Sequence, residues 1–198
     1  MQKYPVFSIS EIEKQFPGFD SRRLVEWQKK GYIEKLRNKY YYFADQSIEE
    51  GFLFYTANNI YSPSYISLES ALSIYNIIPE GVFQINCITT RKTNLIDTSL
   101  KEFKYRHIKS DLYFGYSLKE WRKYRYSIAE PEKAIIDFLY YNPVVKDVDD
   151  LSLLRWNPDS IRDSIEYKKL EEYRKYIDSK TLNNRISLLK EFIDAKTK

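Results

Sequence analysis

Two helix starts constrain the fold of this chain more than any other feature of its sequence. In the stretch SPSYISLESAL, Pro63 keeps the residue before it extended, Ser67 is a favourable N-cap, and apolar residues follow at helical spacing up to Tyr75. In the stretch IAEPEKAIIDFLYY, Pro131 stands at the first position of a helix that runs to about Tyr140. Each stretch should form a helix that buries its apolar face in a core.

A helix, a turn and a second helix are predicted near the start of the chain. Ser8 and Glu11 have the spacing of a capping box, which opens a short helix through about Gln15. The pair Pro17–Gly18 ends this helix, because proline cannot continue it. A second helix is expected from Ser21 to about Lys30.

The second of these helices should present a mostly cationic face to solvent. Asp20 is a good N-cap and Gly31 is a stop signal. Leu24, Trp27 and Gln28 share one side, and the other side carries Arg22, Arg23, Glu26, Lys29 and Lys30. The helix should therefore pack through its apolar side and leave its charges exposed.

A basic β-hairpin is predicted to follow, so residues 1–46 have the pattern of a winged helix-turn-helix domain. Tyr32–Leu36 and Tyr40–Phe43 are β-prone, and Asn38 between them can adopt a positive φ. An α-helix fits the major groove, Arg can make two hydrogen bonds to guanine, and a basic hairpin can straddle the backbone. The alternative is an ordinary solvated helix and hairpin. The candidate DNA-binding residues are Arg22, Arg23, Lys29, Lys30, Arg37, Asn38 and Lys39.

One part of the winged-helix pattern is short. Such domains usually have a further helix before the helix-turn-helix pair, but only seven residues precede Ser8. Either that helix is reduced, or the following domain supplies the packing that it would provide.

Residues 47–198 are predicted to form a second domain, of the α+β class. Ser47 and Glu50 suggest a capping box for a helix to about Asn59, and Asp147–Asp150 suggest an acidic linker. Several β-prone runs indicate a small antiparallel or mixed sheet, and two apolar-striped helices at the end indicate a helical cap. The runs are Phe83–Thr90, Phe103–Ile108, Leu112–Tyr116 and Tyr124–Ile128; the helices beyond the linker begin at Pro158 and span Tyr167–Ile177 and Thr181–Ala195.

Charge and cysteine content narrow the class of protein. Residues 1–45 hold nine Lys and Arg against six Asp and Glu, residues 46–165 hold 14 against 16, and residues 166–198 again hold nine against six. The charge thus changes sign near residue 46, which agrees with a domain boundary there. Cys87 is the only cysteine, so no intrachain disulfide can form, and no signal peptide or membrane span is expected. A cytoplasmic protein is the expectation.

No catalytic or cofactor motif stands out, so the chain is predicted not to be an enzyme and to need no cofactor or metal. His107 is the only histidine, and a single histidine and cysteine cannot supply a zinc site. Neither a phosphate-binding glycine loop nor a nucleophile elbow is present. One constellation loosely resembles the acidic residues and lysine of metal-dependent nucleases, although carboxylates also favour a helix start without any catalytic role. It comprises Asp111, Glu130, Glu132 and Lys133.

The order and spacing of several stretches resemble the AbiEi family of bacterial antitoxins. The resemblance runs with gaps from about Phe7 to Leu189, and it includes both helix starts described above. Asn76 replaces a glycine that such sequences often carry, and Asn can still form a left-handed helix C-cap. The further stretches are ANNIY (Ala57 to Tyr61), IIPE (Ile77 to Glu80), TTRKT (Thr89 to Thr93), YRHIK (Tyr105 to Lys109) and YFGY (Tyr113 to Tyr116).

This resemblance implies a function as well as a fold. AbiEi antitoxins pair a winged helix-turn-helix with a second domain and are encoded beside a nucleotidyltransferase-like toxin. The resemblance therefore implies an antitoxin that binds its own promoter DNA as a repressor and counters the toxin without a stable complex. The alternatives are a stand-alone winged-helix regulator without a toxin partner and, as a third class, a nuclease built on the acidic constellation.

Overall fold

The computed structural model describes residues 4–79, 81–177 and 179–195. Glu80 of the IIPE stretch and residues 1–3 and 196–198 of the two predicted domains lie outside these ranges. The fold is α+β, as predicted. The strands are β1 (Val6–Ser8), β2 (Ile33–Arg37), β3 (Tyr40–Phe43), β4 (Ser64–Ile66), β5 (Ile85–Thr89), β6 (Asn94–Ile96), β7 (Phe103–His107), β8 (Tyr116–Trp121) and β9 (Tyr124–Ala129). The helices are α1 (Ile9–Gln15), α2 (Arg22–Lys29), α3 (Glu50–Ile60), α4 (Leu68–Ile74), α5 (Pro131–Tyr141), α6 (Val148–Leu153), α7 (Pro158–Ser164), α8 (Tyr167–Tyr176) and α9 (Lys180–Ala195).

The first five elements form an N-terminal unit, β1-α1-α2-β2-β3, whose antiparallel N-terminal sheet has the strand order β1-β3-β2. The predicted capping box opens α1: Ser8 Oγ accepts from the Glu11 amide at 3.2 Å, and Glu11 Oε2 accepts from the Ser8 amide at 2.6 Å. Gly18 and Gly31, after α1 and α2, have φ of 83° and 69°, which glycine adopts without steric cost.

The N-terminal sheet separates two hydrophobic cores. Side chains alternate between the two faces of a strand, so neighbouring residues such as Tyr41 and Tyr42 point to opposite sides. The face that carries α1 and α2 belongs to a small core of Phe7, Ile12, Leu24, Ile33 and Tyr41. The other face contributes Val6, Leu36 and Tyr42 to the main core. The following part of the chain therefore packs against the N-terminal sheet.

A second contact ties the open edge of β2 to the rest of the protein. The amide of Ser99 donates to the Leu36 carbonyl at 3.3 Å, and Ser99 Oγ donates to the Lys35 carbonyl at 3.1 Å. These bonds occupy backbone groups of an edge strand that would otherwise face solvent.

The main sheet is mixed and has six strands in the order β6-β7-β5-β4-β9-β8. Strands β5 and β7 are parallel, as are β4 and β9, and the other neighbours are antiparallel. Tyr105 of β7 donates to the Ala57 carbonyl of α3 at 2.7 Å, whereas the next residue, Arg106, lies over the Tyr141 ring of α5. Because adjacent strand residues point in opposite directions, α3 and α5 cover opposite faces of the sheet.

The helices at the end of the chain close the main core, as predicted from their apolar stripes. Leu170, Ile186 and Leu189 are fully buried in it. The predicted acidic linker is wrong, because Asp147 and Asp150 form a reciprocal capping box that opens α6. The two carboxylates accept hydrogen bonds from backbone amides, which stabilises a helix start where the charges alone suggested a solvated linker.

Two further expectations need correction, and two strands were missed. The predicted capping box of Ser47 and Glu50 is wrong, because α3 begins only at Glu50 and its N-cap is Glu49. Glu49 makes no cap bond; its carboxylate accepts from Trp121 Nε1 of the β8–β9 hairpin at 3.0 Å. The predicted strand Leu112–Tyr116 is instead a 3₁₀ turn at Ser110–Leu112 followed by β8. The short strands β4 and β6 were not predicted, since three residues carry too little alternation to be detected.

Candidate nucleic-acid interface

The first turn of α2 holds Arg22 in an ion pair with Asp20. Asp20 Oδ1 accepts from the Arg22 amide at 3.0 Å, as an N-terminal cap would, while its carboxylate also accepts from Arg22 Nε at 2.9 Å. The hydrogen bonds from Arg22 hold the pKa of the Asp20 carboxyl below its ordinary value. Part of the positive charge at the start of α2 is therefore neutralised by a carboxylate of the same chain.

The body of α2 has the two sides that its sequence predicts. Leu24 is 1% exposed, and Trp27 packs against Phe19 with ring centroids 5.7 Å apart. Arg23 and Lys29 are exposed, and so are Arg22, Glu26 and Lys30. The exposed side is thus mostly cationic and carries one carboxylate.

The hairpin between β2 and β3 places Asn38 and Lys39 at an exposed two-residue turn. The positive φ falls on Lys39, at 69°, and not on Asn38 as predicted. A turn in which only the second central residue is left-handed explains the difference. Arg37 lies with its guanidinium carbon 5.9 Å from the Tyr40 ring centroid, and the Lys39 carbonyl accepts from the Ile9 amide at 3.0 Å.

The seven candidate residues fall into two groups within the N-terminal unit. Lys29 and Lys30 lie at the end of α2, next to the start of β2, because the Tyr32 amide donates to the Trp27 carbonyl at 3.0 Å. Asn38 and Lys39 lie at the other end of β2, about 17 Å away for a five-residue strand. The α2 cations and the hairpin tip are therefore two separate exposed groups.

A buried polar network, which the sequence patterns did not predict, joins the two predicted helix starts. Tyr65 OH and Ser67 Oγ donate to Asp137 Oδ2 at 2.9 and 2.8 Å, and Lys133 Nζ donates to Tyr65 OH at 2.9 Å and also to Asp137 Oδ1. All four side chains are at most 1% exposed. Burial, followed by the charge of Asp137, raises the pKa of Tyr65 well above its ordinary value. The sequence did carry a signal of this network, because Lys133 and Asp137 stand four residues apart on a mostly apolar helix.

The residues of the nuclease-like constellation have separate partners in the structure. Lys133 is committed to Asp137, and Glu132 is 2% exposed and accepts from the Glu166 amide at 2.6 Å. Glu130 accepts from Tyr173 OH and pairs with Lys169 at 2.9 Å, whereas Asp111 lies exposed in the 3₁₀ turn. The four residues therefore do not share one accessible site.

The remaining reactive side chains have ordinary structural surroundings. His107 ends β7, and its Nδ1 lies 2.9 Å from the Arg91 carbonyl. Cys87 is fully buried, and burial raises the pKa of its thiol. Across residues 4–79, 81–177 and 179–195, no group of three or more His, Cys, Asp and Glu is placed to hold a metal ion.

Comparison with protein-family models and with curated proteins finds no match to this chain. None of the helices that the structure describes combines the length and the apolar character needed to cross a membrane. What the chain does must therefore be inferred from its residues, their geometry and the resemblance of its short stretches.

Proposed function

We propose that this chain is an AbiEi-like antitoxin whose residues 1–46 form a winged helix-turn-helix that binds duplex promoter DNA. In this proposal it acts in the cytoplasm as the repressor of its own operon and counters a nucleotidyltransferase-like toxin without a stable complex. It needs no cofactor and has no catalytic turnover.

The observation that carries the proposal is the exposed cationic side of α2, followed in the chain by a hairpin with a basic tip. Arg23, Lys29 and Lys30 are free of the buried packing that holds Leu24. The strand order β1-β3-β2 supports the winged-helix assignment, because the hairpin strand β3 pairs with β1, a strand that precedes the helix pair. In this geometry α2 enters the major groove and the Asn38–Lys39 turn contacts the adjacent backbone.

DNA binding is tested by measuring the affinity for the protein's own promoter across a salt series. Removing a phosphate contact should flatten the slope of log affinity against log salt by about 0.9, and removing a base-reading arginine should cost about 1–3 kcal/mol. We expect the variant Arg22→Ala, Arg23→Ala to lose most specific binding. The variant Lys168→Ala, Lys175→Ala removes the same charge from exposed positions on α8 and should bind like wild type. Equal affinity of all three proteins would refute the assignment.

Toxin neutralisation is tested by co-expression with the toxin encoded beside this chain. The full-length Arg22→Ala, Arg23→Ala variant, expressed from an unrelated promoter, should still rescue growth if residues 47–198 neutralise the toxin. A fragment of residues 47–198 is a weaker test, because it removes Val6, Leu36 and Tyr42 from the main core. A folded full-length variant that fails to rescue growth would show that neutralisation depends on DNA binding.

Two alternatives have their own distinguishing results. A stand-alone regulator would bind its promoter but would have no neighbouring toxin to oppose. A nuclease would cleave DNA or RNA in the presence of magnesium or manganese, and the variant Glu132→Ala, Lys133→Ala would lose that cleavage.

A further inference from the structure

The stretches TTRKT and YRHIK, which the DNA-binding proposal does not use, meet at one edge of the main sheet. They follow or end the parallel strands β5 and β7, and Thr89 lies opposite His107 in the register. The Ile108 amide donates to the Thr89 carbonyl at 2.8 Å, and the His107 amide donates to Thr93 Oγ1 at 3.1 Å. The carboxyl ends of these two strands are therefore joined into one fixed edge.

Four cations stand on this edge without a carboxylate partner. Arg91, Lys92 and Lys109 are exposed and Arg106 is partly exposed; together they are called the cationic edge. Among the ion pairs of the described residues, none involves a member of the cationic edge. The nearest acid in sequence is Asp111, which is exposed and unpaired with them. A cluster of unneutralised cations produces a local positive potential that attracts anions.

Both arginines of the cationic edge lie over tyrosine rings. The Arg91 guanidinium carbon is 4.1 Å from the Tyr61 ring centroid, and Arg91 Nη1 donates to the Ser62 carbonyl at 3.2 Å. The Arg106 guanidinium carbon is 5.1 Å from the Tyr141 ring centroid. An arginine stacked on one face keeps its other face for a nucleobase and its edge N–H groups for a phosphate.

The two tyrosines are themselves fixed by the stretches that carry the cations. Tyr61 OH donates to the Lys92 carbonyl at 2.9 Å, and Tyr141 OH donates to the His107 carbonyl. Tyr61 ends the ANNIY stretch and Tyr141 ends α5, so four separate stretches of the chain converge here. This bracing removes the cost of ordering two long side chains when a ligand binds.

We infer that the cationic edge binds single-stranded nucleic acid, RNA or DNA, independently of the duplex-binding role proposed for α2. Lys92 and Lys109 contact backbone phosphates, and an unpaired base stacks on the outer face of Arg106 or Arg91. Neighbouring strands are only about 4.8 Å apart, so this edge matches a single strand, whereas reading duplex DNA requires an element that fills a groove about 12 Å wide.

Fluorescence anisotropy of the full-length protein tests this inference. The probes are a labelled single-stranded RNA of about 16 nucleotides, the DNA of the same sequence and the corresponding DNA duplex, each measured across a salt series. We expect Lys92→Gln, Lys109→Gln to weaken single-strand binding about tenfold at low salt and to flatten the log–log salt slope by about 1.4, that is about 0.7 for each contact. Arg106→Lys keeps the charge but not the planar stack, so it should weaken single-strand binding severalfold with an unchanged slope.

The controls separate this surface from general electrostatics and from α2. The variant Lys168→Gln, Lys175→Gln removes the same net charge from α8 and should bind the single strands like wild type. The variant Arg22→Ala, Arg23→Ala should retain single-strand binding whether or not α2 binds promoter duplex. Each variant is checked for folding by thermal unfolding. The inference is wrong if Lys92→Gln, Lys109→Gln binds single strands like wild type, if the α8 control loses as much, or if the loss affects only the duplex. Comparing the affinities for the single-stranded RNA and the single-stranded DNA identifies whether the cationic edge accepts one or both.

Discussion

The N-terminal unit and the main core treat charged residues in opposite ways. The small core under α1 and α2 buries only five residues, all hydrophobic, and the charges around it remain exposed. The main core buries Glu132, Lys133 and Asp137, each at most 2% exposed. An exposed cation keeps its charge available to a ligand, whereas a buried one spends that charge on an internal partner. Ligand-binding residues are therefore expected among the exposed charges, and residues that stabilise the fold among the buried ones.

The two regions also differ in how much support each receives. The small core lies on one face of a three-stranded sheet, and the other face of that sheet depends on the main core through Val6, Leu36 and Tyr42. The N-terminal unit thus relies on the main core to bury the second face of its sheet. The predicted domain boundary near residue 46 does not separate two independent cores, because buried contacts cross it. The division there remains a prediction about which residues carry which function.

The largest expected effect comes from removing one partner of the buried pair. Lys133→Ala leaves Asp137 charged and buried without its strongest partner, which should lower the free energy of unfolding by about 3–5 kcal/mol. Urea denaturation of the full-length protein measures this loss. A shift comparable to that of an exposed pair would mean that the interior is open to water, and the contrast between the two regions would fail.

A matched pair of variants shows whether the charge or the volume matters. Lys133→Met with Asp137→Leu removes both charges and should destabilise less than either single change, since no uncompensated charge remains. Arg125→Ala breaks a pair whose side chains are 64% and 67% exposed, and it should cost at most about 1 kcal/mol.

The next prediction compares the two cores directly. Leu72 is fully buried in the main core, and Leu72→Ala should cost about 2–5 kcal/mol and abolish function through unfolding. Leu24 is equally hidden but lies in the small core, so Leu24→Ala should fall at the low end, about 2–3 kcal/mol, because a small core relaxes more readily around a cavity. Urea denaturation with tryptophan fluorescence compares both variants. A larger loss for Leu24→Ala would show that the small core controls the stability of the whole chain.

Local signals predicted the helices better than the sheet. The capping box at Ser8, the proline at the start of α5 and the left-handed Asn76, with φ of 56°, all act within a few residues. Ser67 does stand at the N-cap of α4, but its hydroxyl donates to Asp137 and makes no cap bond. A partner 70 residues away took the hydroxyl, and no local pattern contains that information.

The candidate site divides in the same way. The cationic side of α2 follows from helical periodicity alone, and its charged side chains are exposed in the structure. The pairing of Thr89 with His107, which brings two basic stretches together, depends on a parallel crossover between β5 and β7. Sequence spacing does not determine which strands become neighbours, so the cationic edge could not have been predicted from the residues that form it.

The smallest change in stability is expected for Asp20→Asn. This variant tests directly whether an exposed cation binds DNA more tightly once its internal partner is removed. Asparagine can still accept from the Arg22 amide and is as good an N-cap as aspartate, so the unfolding transition at neutral pH should not move measurably. The ion pair that occupies the Arg22 guanidinium at 2.8 Å is lost, and the net charge of the unit rises by one. We therefore expect promoter affinity to increase severalfold and the salt slope to steepen by up to about 0.9, as one more phosphate contact becomes available. Because Arg22 lowers the pKa of Asp20, the wild-type pair persists until the pH falls through that lowered pKa, and the difference between the proteins should be constant across neutral pH. Unchanged or weaker promoter binding by Asp20→Asn would show that Asp20 positions Arg22 for DNA instead of competing with it.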